Sequence, residues 1–417
     1  MNQATTILIG AGGRGRTYTD YALRNPDKLK VIGVAEPVGV LREEFAKVHN
    51  ISAEKCFVTW EDVFKHDKLA DTVMICTQDK MHFSVAMAAI EKGYDILLEK
   101  PISPVQDECT VLAEAAETKG VKVVVCHVLR YTPFFSELKR IIDNGEIGEV
   151  VSVVHNENVG DIHHSHSYVR GNWRNKKESS PMILAKSCHD TDVIQWLIGK
   201  KCLHLSSFGS LKYFRKENCP SGAPTRCTDG CQIDCPYDAR KLYLQDTAGH
   251  GKKWFRPAIA GCANPTDQQV EIALKTGPYG RCVFQCDNDV VDHQTVNMEF
   301  EDGVTAIFSM CSFTAEISRT IKIMGTKGQI KGNMEKNNIL ITDFLTRDER
   351  QINTETVGGH VGHGGGDEEL MKAFCKYISG EYSGTRMSDI RISAENHKIS
   401  FAAEESRLNG GNLVELL

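Results

Sequence analysis

The stretch Ile7–Gly15, with the sequence ILIGAGGRG, decides the fold of the first part of the chain. Its apolar start predicts a β-strand. Its glycines match the pattern G-x-G-x-x-G, which permits a tight turn and close approach of a pyrophosphate to the backbone. Residues 17–23 predict the following helix, whose N-terminus would carry the phosphates. A strand, a glycine-rich turn and a helix in this order are typical of a dinucleotide-binding domain.

An acidic residue after the second predicted strand supports the same interpretation. Such a residue is expected about 20 positions after the turn, and Glu36 stands directly after Val31–Ala35. A carboxylate at this point binds the ribose hydroxyls and repels a 2′-phosphate, so the sequence favours NAD over NADP. Arg42 nearby weakens that preference, and FAD, which shares the fingerprint, stays open as an alternative.

Size and charge exclude several classes of protein. The 417 residues are too many for one ordinary core and predict two domains or slightly more. The formal net charge of −6 argues against nucleic acid or anionic lipid as a partner. No stretch approaches the roughly 18–20 apolar residues of a membrane span, and the first residues show no secretion signal. We therefore expect a cytoplasmic enzyme.

Residues 5–125 alternate β-branched runs with amphipathic stretches, as βαβ units do. The predicted strands are Thr6–Ile9, Lys30–Ala35, Thr72–Cys76, Asp95–Leu98 and Lys122–Cys126. Helices are predicted between them, among others at Phe83–Lys92 and Asp107–Thr118. The fold class is therefore α/β, and residues 1–126 are expected to form an N-terminal Rossmann domain with a doubly wound parallel sheet.

A second pattern begins after residue 150. Glu149–Asn156 predicts a strand, and Met182–Leu197 predicts a helix. Later runs alternate apolar and polar residues, as in an antiparallel sheet with one solvated face: Gly280–Gln285, Val290–Phe300, Val304–Ser312, Arg319–Gly325 and Gly328–Gly332. Helices are predicted at Asp367–Ser379 and Ser388–Leu408. We expect residues 127–417 to form a C-terminal α/β domain, with a Cys-rich loop insertion at about 210–265.

Short motifs stand at the ends of the predicted strands and in later turns. They are Cys76–His82 (CTQDKMH), Glu99–Pro101 (EKP), Arg130–Pro133 (RYTP), Gly145–Gly148 (GEIG), His189–Asp190 and Gly325–Gly328 (GTKG). Together with the opening glycines, they resemble in type and order the Gfo/Idh/MocA family, the glucose–fructose oxidoreductase and inositol dehydrogenase group. The resemblance implies a C-terminal domain whose large, open, mostly antiparallel sheet covers the cofactor and often builds the interface of a homo-oligomer.

The resemblance also implies a catalytic pair. Lys100 follows a parallel strand at its carboxyl end, where open α/β sheets place their ligands. Pro101 fixes the turn, and a cis peptide there would aim the lysine at the nicotinamide. His189 is the matching general base, because imidazole titrates near neutrality. The alternatives are a solvated lysine and a helical histidine that is satisfied by Asp190.

One position departs from the family pattern. The dehydrogenases usually carry Asp four residues before this histidine, and here the residue is Ala185. Either Lys186 supplies a replacement, or the chemistry differs from simple alcohol oxidation. The predicted cofactor-binding residues are Gly10, Gly12, Gly13, Arg14, Gly15, Glu36, Thr77, His82, Glu99, Lys100 and Arg130.

The segment Asp161–Arg174 is dense in polar and aromatic residues, a mixture that sugar sites need. We expect His166, Arg170 and Trp173 to bind substrate, and Tyr168 and His166 are candidate acids. The three histidines could instead bind a metal or lie in an exposed loop.

Two later stretches resemble this segment in composition. Asp292 and His293 are predicted substrate contacts on opposite faces of a strand. His360, His363 and a run of glycines form a loop before Asp367. Asp367 is either the N-cap of the next helix or part of a flexible lid over a sugar. Lys186 and His363 complete the predicted substrate-binding set.

Four of the 15 cysteines crowd together with the spacing C-x7-C-x3-C-x3-C: Cys219, Cys227, Cys231 and Cys235. Four thiolates would suit a structural tetrahedral zinc ion. An iron–sulfur cluster and reduced, metal-free thiols are the alternatives, with Cys262, Cys282 and Cys286 as further ligands.

The leading hypothesis is an NAD-dependent oxidoreductase that removes hydride from a ring carbinol of a sugar, glycoside or cyclitol. The alternative is a redox-neutral glycosidase with bound NAD, since some relatives cleave glycosides by transient oxidation at C3, elimination and re-reduction. A third hypothesis is a non-catalytic NAD-binding regulator.

Overall fold

A parallel sheet forms the N-terminal part of the computed structural model, which describes residues 3–245, 252–354 and 363–416. Its strands are β1 (Ala4–Ile9), β2 (Leu29–Ala35), β3 (Cys56–Phe57), β4 (Thr72–Ile75), β5 (Asp95–Leu98) and β6 (Val123–Val125). All pair in parallel, in the order β3-β2-β1-β4-β5-β6. This is the Rossmann order, and the predicted doubly wound sheet is confirmed.

Helices cover both faces of this sheet, so the strands β4, β5 and β6 are almost entirely buried. These helices are α1 (Gly13–Arg24), α2 (Gly39–His49), α3 (Trp60–Phe64), α4 (His82–Glu91) and α5 (Gln106–Lys119). Helix α5 ends at Gly120, which takes the left-handed conformation with φ of 70°. A glycine adopts this conformation without steric cost, as expected at the end of a helix.

A second sheet lies in the later part of the chain. Its strands are β7 (Val150–Asn158), β8 (Cys202–Ser210), β9 (His293–Phe300), β10 (Thr305–Cys311), β11 (Ser318–Gly325), β12 (Gly328–Asn333), β13 (Asn338–Asp343), β14 (Glu349–Asn353) and β15 (Val414–Glu415). Their order is β14-β13-β12-β11-β7-β10-β9-β8-β15. Among these described strands only β7 and β10 pair in parallel, so the sheet is mostly antiparallel, as predicted.

The helices of the later part pack on the second sheet, on the first sheet or within the Cys-rich insertion. They are α6 (Pro133–Asp143), α7 (Asp161–His164), α8 (Met182–Ala185), α9 (Cys188–Ile198), α10 (Arg256–Ala260), α11 (Asp267–Thr276), α12 (Gly366–Ile378) and α13 (Ile390–Leu408). Two π-helical segments span Ser165–Arg170 and Lys241–Gln245. Single 3₁₀ turns span Ala53–Lys55, Asp79–Met81, Val128–Tyr131, Lys216–Asn218, Lys252–Phe255, Pro278–Gly280, Glu301–Gly303 and His363–Gly365.

Helices α12 and α13 complete the core of the first sheet. Phe374 of α12 belongs to the same buried cluster as Leu8 and Leu97. Ile390 of α13 packs in the cluster that contains Leu98. The polypeptide therefore crosses back to the nucleotide-binding part after it has built the second sheet.

Two predicted elements are wrong. Residues 280–285 are not a strand: Gly280 ends a 3₁₀ turn, and Arg281 makes only an isolated bridge to Arg226. The apolar residues Val283 and Phe284 are instead buried in a separate core. The single helix predicted at Met182–Leu197 is broken between Ala185 and Cys188.

The Cys-rich insertion has a core of its own that reaches beyond the predicted limit of residue 265. Its members include Phe214, Tyr243, Phe255, Leu274 and Phe284, which pack against one another and against Val169. The insertion is therefore a packed subdomain and not a loop. No helix within the described residues is long and apolar enough to cross a membrane.

A buried ion pair anchors the beginning of the second part to α9. The guanidinium of Arg130 donates from Nε and Nη2 to the two carboxylate oxygens of Asp192, at 2.6 and 2.7 Å. Both side chains are almost completely buried. A bidentate pair in such a place fixes orientation as well as charge.

We expect Arg130→Met to lower the free energy of unfolding by about 3–5 kcal/mol, because it leaves the charge of Asp192 buried without its guanidinium. Urea denaturation followed by tryptophan fluorescence measures this loss. Arg140→Met is the control, since Arg140 pairs with Glu137 at the surface and should contribute less than about 1 kcal/mol. Equal losses in the two variants would contradict the assignment.

Candidate active site

The glycine-rich turn has the conformation that the sequence predicts. Gly10 has φ of 94°, and a Cβ there would lie 2.5 Å from the carbonyl oxygen of Cys76. A Cβ on Gly15 would lie 2.3 Å from the carbonyl oxygen of Gly10. At Gly12 and Gly13 a Cβ would meet no atom of the described residues within 4 Å. The turn is thus closed towards the sheet and open above the start of α1, where a pyrophosphate would rest.

Glu36 stands beside this turn at the end of β2. Its Oε2 accepts from the backbone N–H of Ala11 at 2.8 Å, and its Oε1 accepts from the N–H of Val38 at 2.9 Å. Arg42 binds the backbone carbonyl of Glu36 and not its carboxylate. The carboxylate is therefore fixed in place and keeps lone pairs for the ribose hydroxyls, so these residues fit NAD.

We expect Glu36→Gln to weaken NADH binding about tenfold or more, because a hydrogen bond to a charged group contributes about 1.5–3 kcal/mol. The preference for NADH over NADPH should narrow, since the repulsion of a 2′-phosphate is lost. Titration of nicotinamide fluorescence with the two nucleotides measures both effects. Glu43→Gln on the exposed side of α2 should leave both affinities unchanged. An unaltered preference for NADH over NADPH in Glu36→Gln would contradict the assignment of Glu36 to the ribose.

Arg14 and Glu99, two predicted cofactor residues, bind each other. Nε of Arg14 lies 2.7 Å from Oε1 of Glu99, which also accepts from the hydroxyl of Tyr18 at 2.8 Å. Burial opposes ionisation of Glu99, but the charges of Arg14 and Lys100 outweigh it and hold its pKa below the usual value. Arg14 also binds Asp367 of α12, so it ties the turn to the end of the sheet and to the later part of the chain.

Thr77 and His82 hold the next loop together. The ring nitrogens of His82 lie 2.6 Å from the carbonyl oxygen of Pro101 and 3.1 Å from that of Thr77. The Lys100–Pro101 peptide is cis. These contacts join the loops after β4 and β5, so the predicted cofactor residues of both strands lie at one sheet edge.

Lys100 and His189 lie close together at this edge. The ammonium of Lys100 donates to the backbone carbonyl of Ala185 at 2.7 Å. His189 follows four residues later, in the first turn of α9. Burial lowers the pKa of His189 well below the usual value, and the positive charge of Lys100 lowers it further. The imidazole is therefore neutral and able to accept a proton.

The break between α8 and α9 makes this arrangement possible. A continuous helix would use the carbonyl of Ala185 in its own hydrogen bonds. Here Lys186 and Ser187 turn out of the helix, so that carbonyl faces Lys100. The carbonyl of Ala185 thus contacts Lys100, at the position where the family pattern leads us to expect an aspartate.

Lys186 does not replace that aspartate. Its Nζ lies 3.1 Å from Oε1 of Glu157, and Arg319 binds the other oxygen of Glu157. Arg319 also binds Asp190, with 2.8 Å between Nε and Oδ1, and His155 lies 2.8 Å from the same oxygen. Burial lowers the pKa of Lys186. Two cations and two carboxylates thus form a buried network beside His189.

Tyr168 and Trp173 belong to the same region. Nε1 of Trp173 donates to Asp79 at 3.2 Å, which docks this segment on the loop after β4. The rings of Tyr168 and Trp173 lie 6.2 Å apart. Burial raises the pKa of Tyr168 well above the usual value, and the carboxylates of Glu157 and Asp79 add to this. The phenol is therefore protonated and can donate a proton.

His166 and Arg170 point into the insertion. The ring of His166 stacks on Phe255 at 3.9 Å and on Tyr279 at 4.6 Å. The guanidinium of Arg170 donates to the backbone carbonyls of Arg281 and Tyr237 at 2.8 and 2.7 Å and is fully buried. These contacts join the π-helical segment to the insertion, so the placement does not support the substrate contacts predicted for the two residues.

Asp292 and His293 stand at the start of β9. Asp292 is buried and accepts from the backbone N–H groups of Lys212 and Tyr213 at 2.8 and 2.9 Å. Its other oxygen lies 2.7 Å from Nδ1 of the half-exposed His293. Asp292 is buried and His293 is half-exposed, but their side chains contact each other, so the division of the two residues between opposite faces stays a prediction. The hydrogen bonds of Asp292 fix the entry to the insertion, and the role of both residues in substrate binding stays a prediction.

The four clustered cysteines do not form a metal centre. Within the described residues, no group of three or more His, Cys, Asp or Glu side chains is arranged to hold a metal ion. Cys227 accepts a contact from Arg170, and Gln285 binds Cys219. All 15 thiols are free. The described residues therefore do not support the structural zinc ion predicted from the spacing. Cys219, Cys227 and Cys235 lie in or against the apolar core of the insertion.

His363 lies next to His189, with ring centroids 5.7 Å apart. Asp367 is not the N-cap of α12: that position is Gly365, and Asp367 lies in the first turn and binds Arg14 and His363. His360, the other histidine of the predicted loop, lies outside the described residues, and the lid hypothesis stays a prediction.

Three residues of the site escape a search of motifs: His127, Glu157 and Arg319. His155 and Glu157 occupy inward positions of β7, and two ionisable residues at such positions are a signal that strand alternation could reveal. His127 is buried between His189 and His397, at 5.9 and 5.3 Å. No motif marks it, because only the fold brings these rings together.

The fold and the site define a class of protein. A Rossmann sheet with a glycine-rich turn and a fixed carboxylate, followed by a mostly antiparallel sheet, is the architecture of an NAD-binding oxidoreductase. Residues 5–127 match the NAD-binding Rossmann fold, and residues 139–383 the C-terminal α/β domain, of the Gfo/Idh/MocA oxidoreductases. The chain belongs to this family.

Individual relatives agree with this assignment. The YteT protein of Bacillus subtilis (strain 168) is 25% identical over 72% of this chain and 71% of its own length. An NAD-dependent scyllo-inositol 2-dehydrogenase of the same organism is 25% identical over 50% of this chain and 58% of its own length.

Solved structures show the same fold. An inositol dehydrogenase homologue from Azotobacter vinelandii, complexed with NAD+, has a TM-score of 0.71 at 15% identity and covers 100% of this chain and 98% of its own. An oxidoreductase domain protein from Kribbella flavida has a TM-score of 0.74 at 17% identity, and both chains are covered completely.

Proposed function

We propose that the protein oxidises a secondary hydroxyl of a cyclitol or sugar ring, with Lys100 and His189 as the catalytic pair. The observation that carries this proposal is the proximity of a lysine ammonium and a neutral, buried imidazole at the carboxyl edge of the nucleotide-binding sheet. The relatives that act on inositols support the choice of a polyhydroxylated ring.

Each residue of the pair has a distinct task. Lys100 uses one of its three N–H donors on Ala185 and keeps two for the substrate oxygen. His189 takes the hydroxyl proton, and its low pKa keeps it ready to do so at neutral pH. NAD, when bound over the glycine-rich turn, supplies the hydride acceptor. His189 is buried and Lys100 is partly buried, which limits the access of bulk water to the reacting carbinol.

The surroundings are suited to a polyol. Trp173 offers an indole edge, and Tyr168 a protonated phenol, beside the buried network of Glu157, Lys186 and Arg319. Carboxylates and cations in such a mixture bind neighbouring hydroxyls as acceptors and donors. A homo-oligomer is part of the proposal, supported by the exposed Val151, Phe208 and Ile307 on strands of the second sheet.

We expect Lys100→Met to lower kcat about 100- to 10,000-fold, because the substrate hydroxyl loses the donor that stabilises its developing charge. NADH absorbance during incubation with NAD and a panel of inositols, monosaccharides and methyl glycosides measures turnover. NADH binding should persist in the variant. Lys119→Met, at the exposed end of α5, should retain full activity, and an active Lys100→Met would overturn the assignment.

A second candidate function is the redox-neutral cleavage of a glycoside. It is favoured by acid–base groups beyond those that hydride transfer needs, namely His363, whose ring contacts that of His189, and the buried Tyr168 of the π-helical segment. Elimination at C2 and departure of the C1 substituent require such additional proton transfers. After water has added to the unsaturated ketone, the same site would return the hydride to the sugar within one catalytic cycle.

Nitrophenyl glycosides separate the two functions. We expect NADH to accumulate without release of nitrophenol, because the proposed reaction ends with the oxidised ring. Release of nitrophenol in the absence of net NADH formation would instead establish the cleavage cycle. Both products absorb light at separate wavelengths, so one spectrophotometric assay with and without added NAD gives the answer.

A further inference from the structure

Asp367 joins two groups that belong to different parts of the site. Its Oδ1 lies 2.5 Å from Nη2 of Arg14, and its Oδ2 lies 3.3 Å from Nδ1 of His363. The side chain lies in the first turn of α12 and is almost fully buried. The carboxylate therefore stands between the glycine-rich turn and the imidazole that contacts His189.

The backbone before α12 is strained at His363. Its φ of 44° lies in the left-handed region, which a residue with a Cβ seldom adopts, and Gly364 and Gly365 follow with φ of 59° and 90°. Such a conformation persists only where surrounding contacts fix it. The ion pair with Asp367 and the ring contact with His189 are contacts of this kind.

We propose that Asp367 is a positioning residue that holds His363 against His189 and links this imidazole to Arg14 of the nucleotide-binding turn. The catalytic part of this inference rests on the proposed function, in which His363 serves as the second acid–base group of the site. Asp367 itself does not touch the reacting carbinol.

A general helix-terminus effect does not account for these contacts. The first turn of α12 carries three acidic residues, and any of them interacts favourably with the N-terminal end of the helix. Glu368 binds Arg24 and Glu369 binds Lys372, both at or near the surface. Only Asp367 among the three faces the site, so Glu368 offers a matched control for the helix contribution.

The charges around His363 set the sign of the expected effect. The groups that face it are Asp367, Arg14, Arg319 and His189, with Lys100 beside the latter. Burial lowers the pKa of His363, and the negative charge of Asp367 opposes that shift. Removal of this charge must therefore move the protonation of His363 to lower pH.

Asp367→Asn tests the proposal without any need for turnover. Histidine labelled with ¹³C at Cε1 reports the titration of each imidazole in the cofactor-free protein, and the signal missing in His363→Gln identifies His363. We expect the His363 titration to fall by roughly 1 pH unit or more in Asp367→Asn. The titration of His363 should return to its original pH in Asp367→Glu and stay at that pH in Glu368→Gln.

An unchanged His363 titration in folded Asp367→Asn, or an equal shift in Glu368→Gln, would overturn the proposal. Asp367→Asn removes the ion pair with Arg14 and could fail to fold. His363→Gln keeps that ion pair and therefore provides a second test. Because the charge of His363 lowers the pKa of His189, His189 should titrate at higher pH in His363→Gln. An unchanged titration of His189 would refute the contact between the two rings. Absence of turnover on every polyol would refute the proposed function alone, since these titrations need no substrate.

Discussion

The hydrogen bond from the ammonium of Lys100 to the carbonyl of Ala185 holds the two halves of the site together. It connects the loop after β5 with the short helix α8, and it requires the chain to leave the helical path at Lys186. Because α9 restarts directly afterwards, His189 arrives beside the lysine with a fixed orientation. A straight helix over the same residues would remove the acceptor and shift the imidazole.

A second constraint is charge balance behind this pair. Glu157 and Asp190 stand against Lys186 and Arg319 in a region without solvent access. Removal of one member would leave an uncompensated buried charge, which is costly in such surroundings.

The sequence predicted those features that depend on local pattern. The glycine-rich turn, Glu36 and five of the parallel strands follow from spacing and composition within a few residues. The helix break at Lys186 did not, because no local pattern marks it and the partner of Lys186, Glu157, is distant in sequence. The composition around Arg170 and His166 predicts sugar contacts, because aromatic and polar side chains bind sugars. The same side chains also bind other parts of the protein, and in the structure these two residues contact the insertion. The cysteine spacing suggested a metal, yet the fold uses the thiols as small apolar side chains.

The return of α12 and α13 to the first sheet has a consequence for biosynthesis. Leu97 and Val124 lie on a sheet face that Leu370 and Phe374 close, and those residues are synthesised some 250 positions later. A ribosome-bound nascent chain that has emerged only as far as β6 holds an apolar surface that it cannot yet bury. The nucleotide-binding half therefore completes this core only after the later helices have been synthesised.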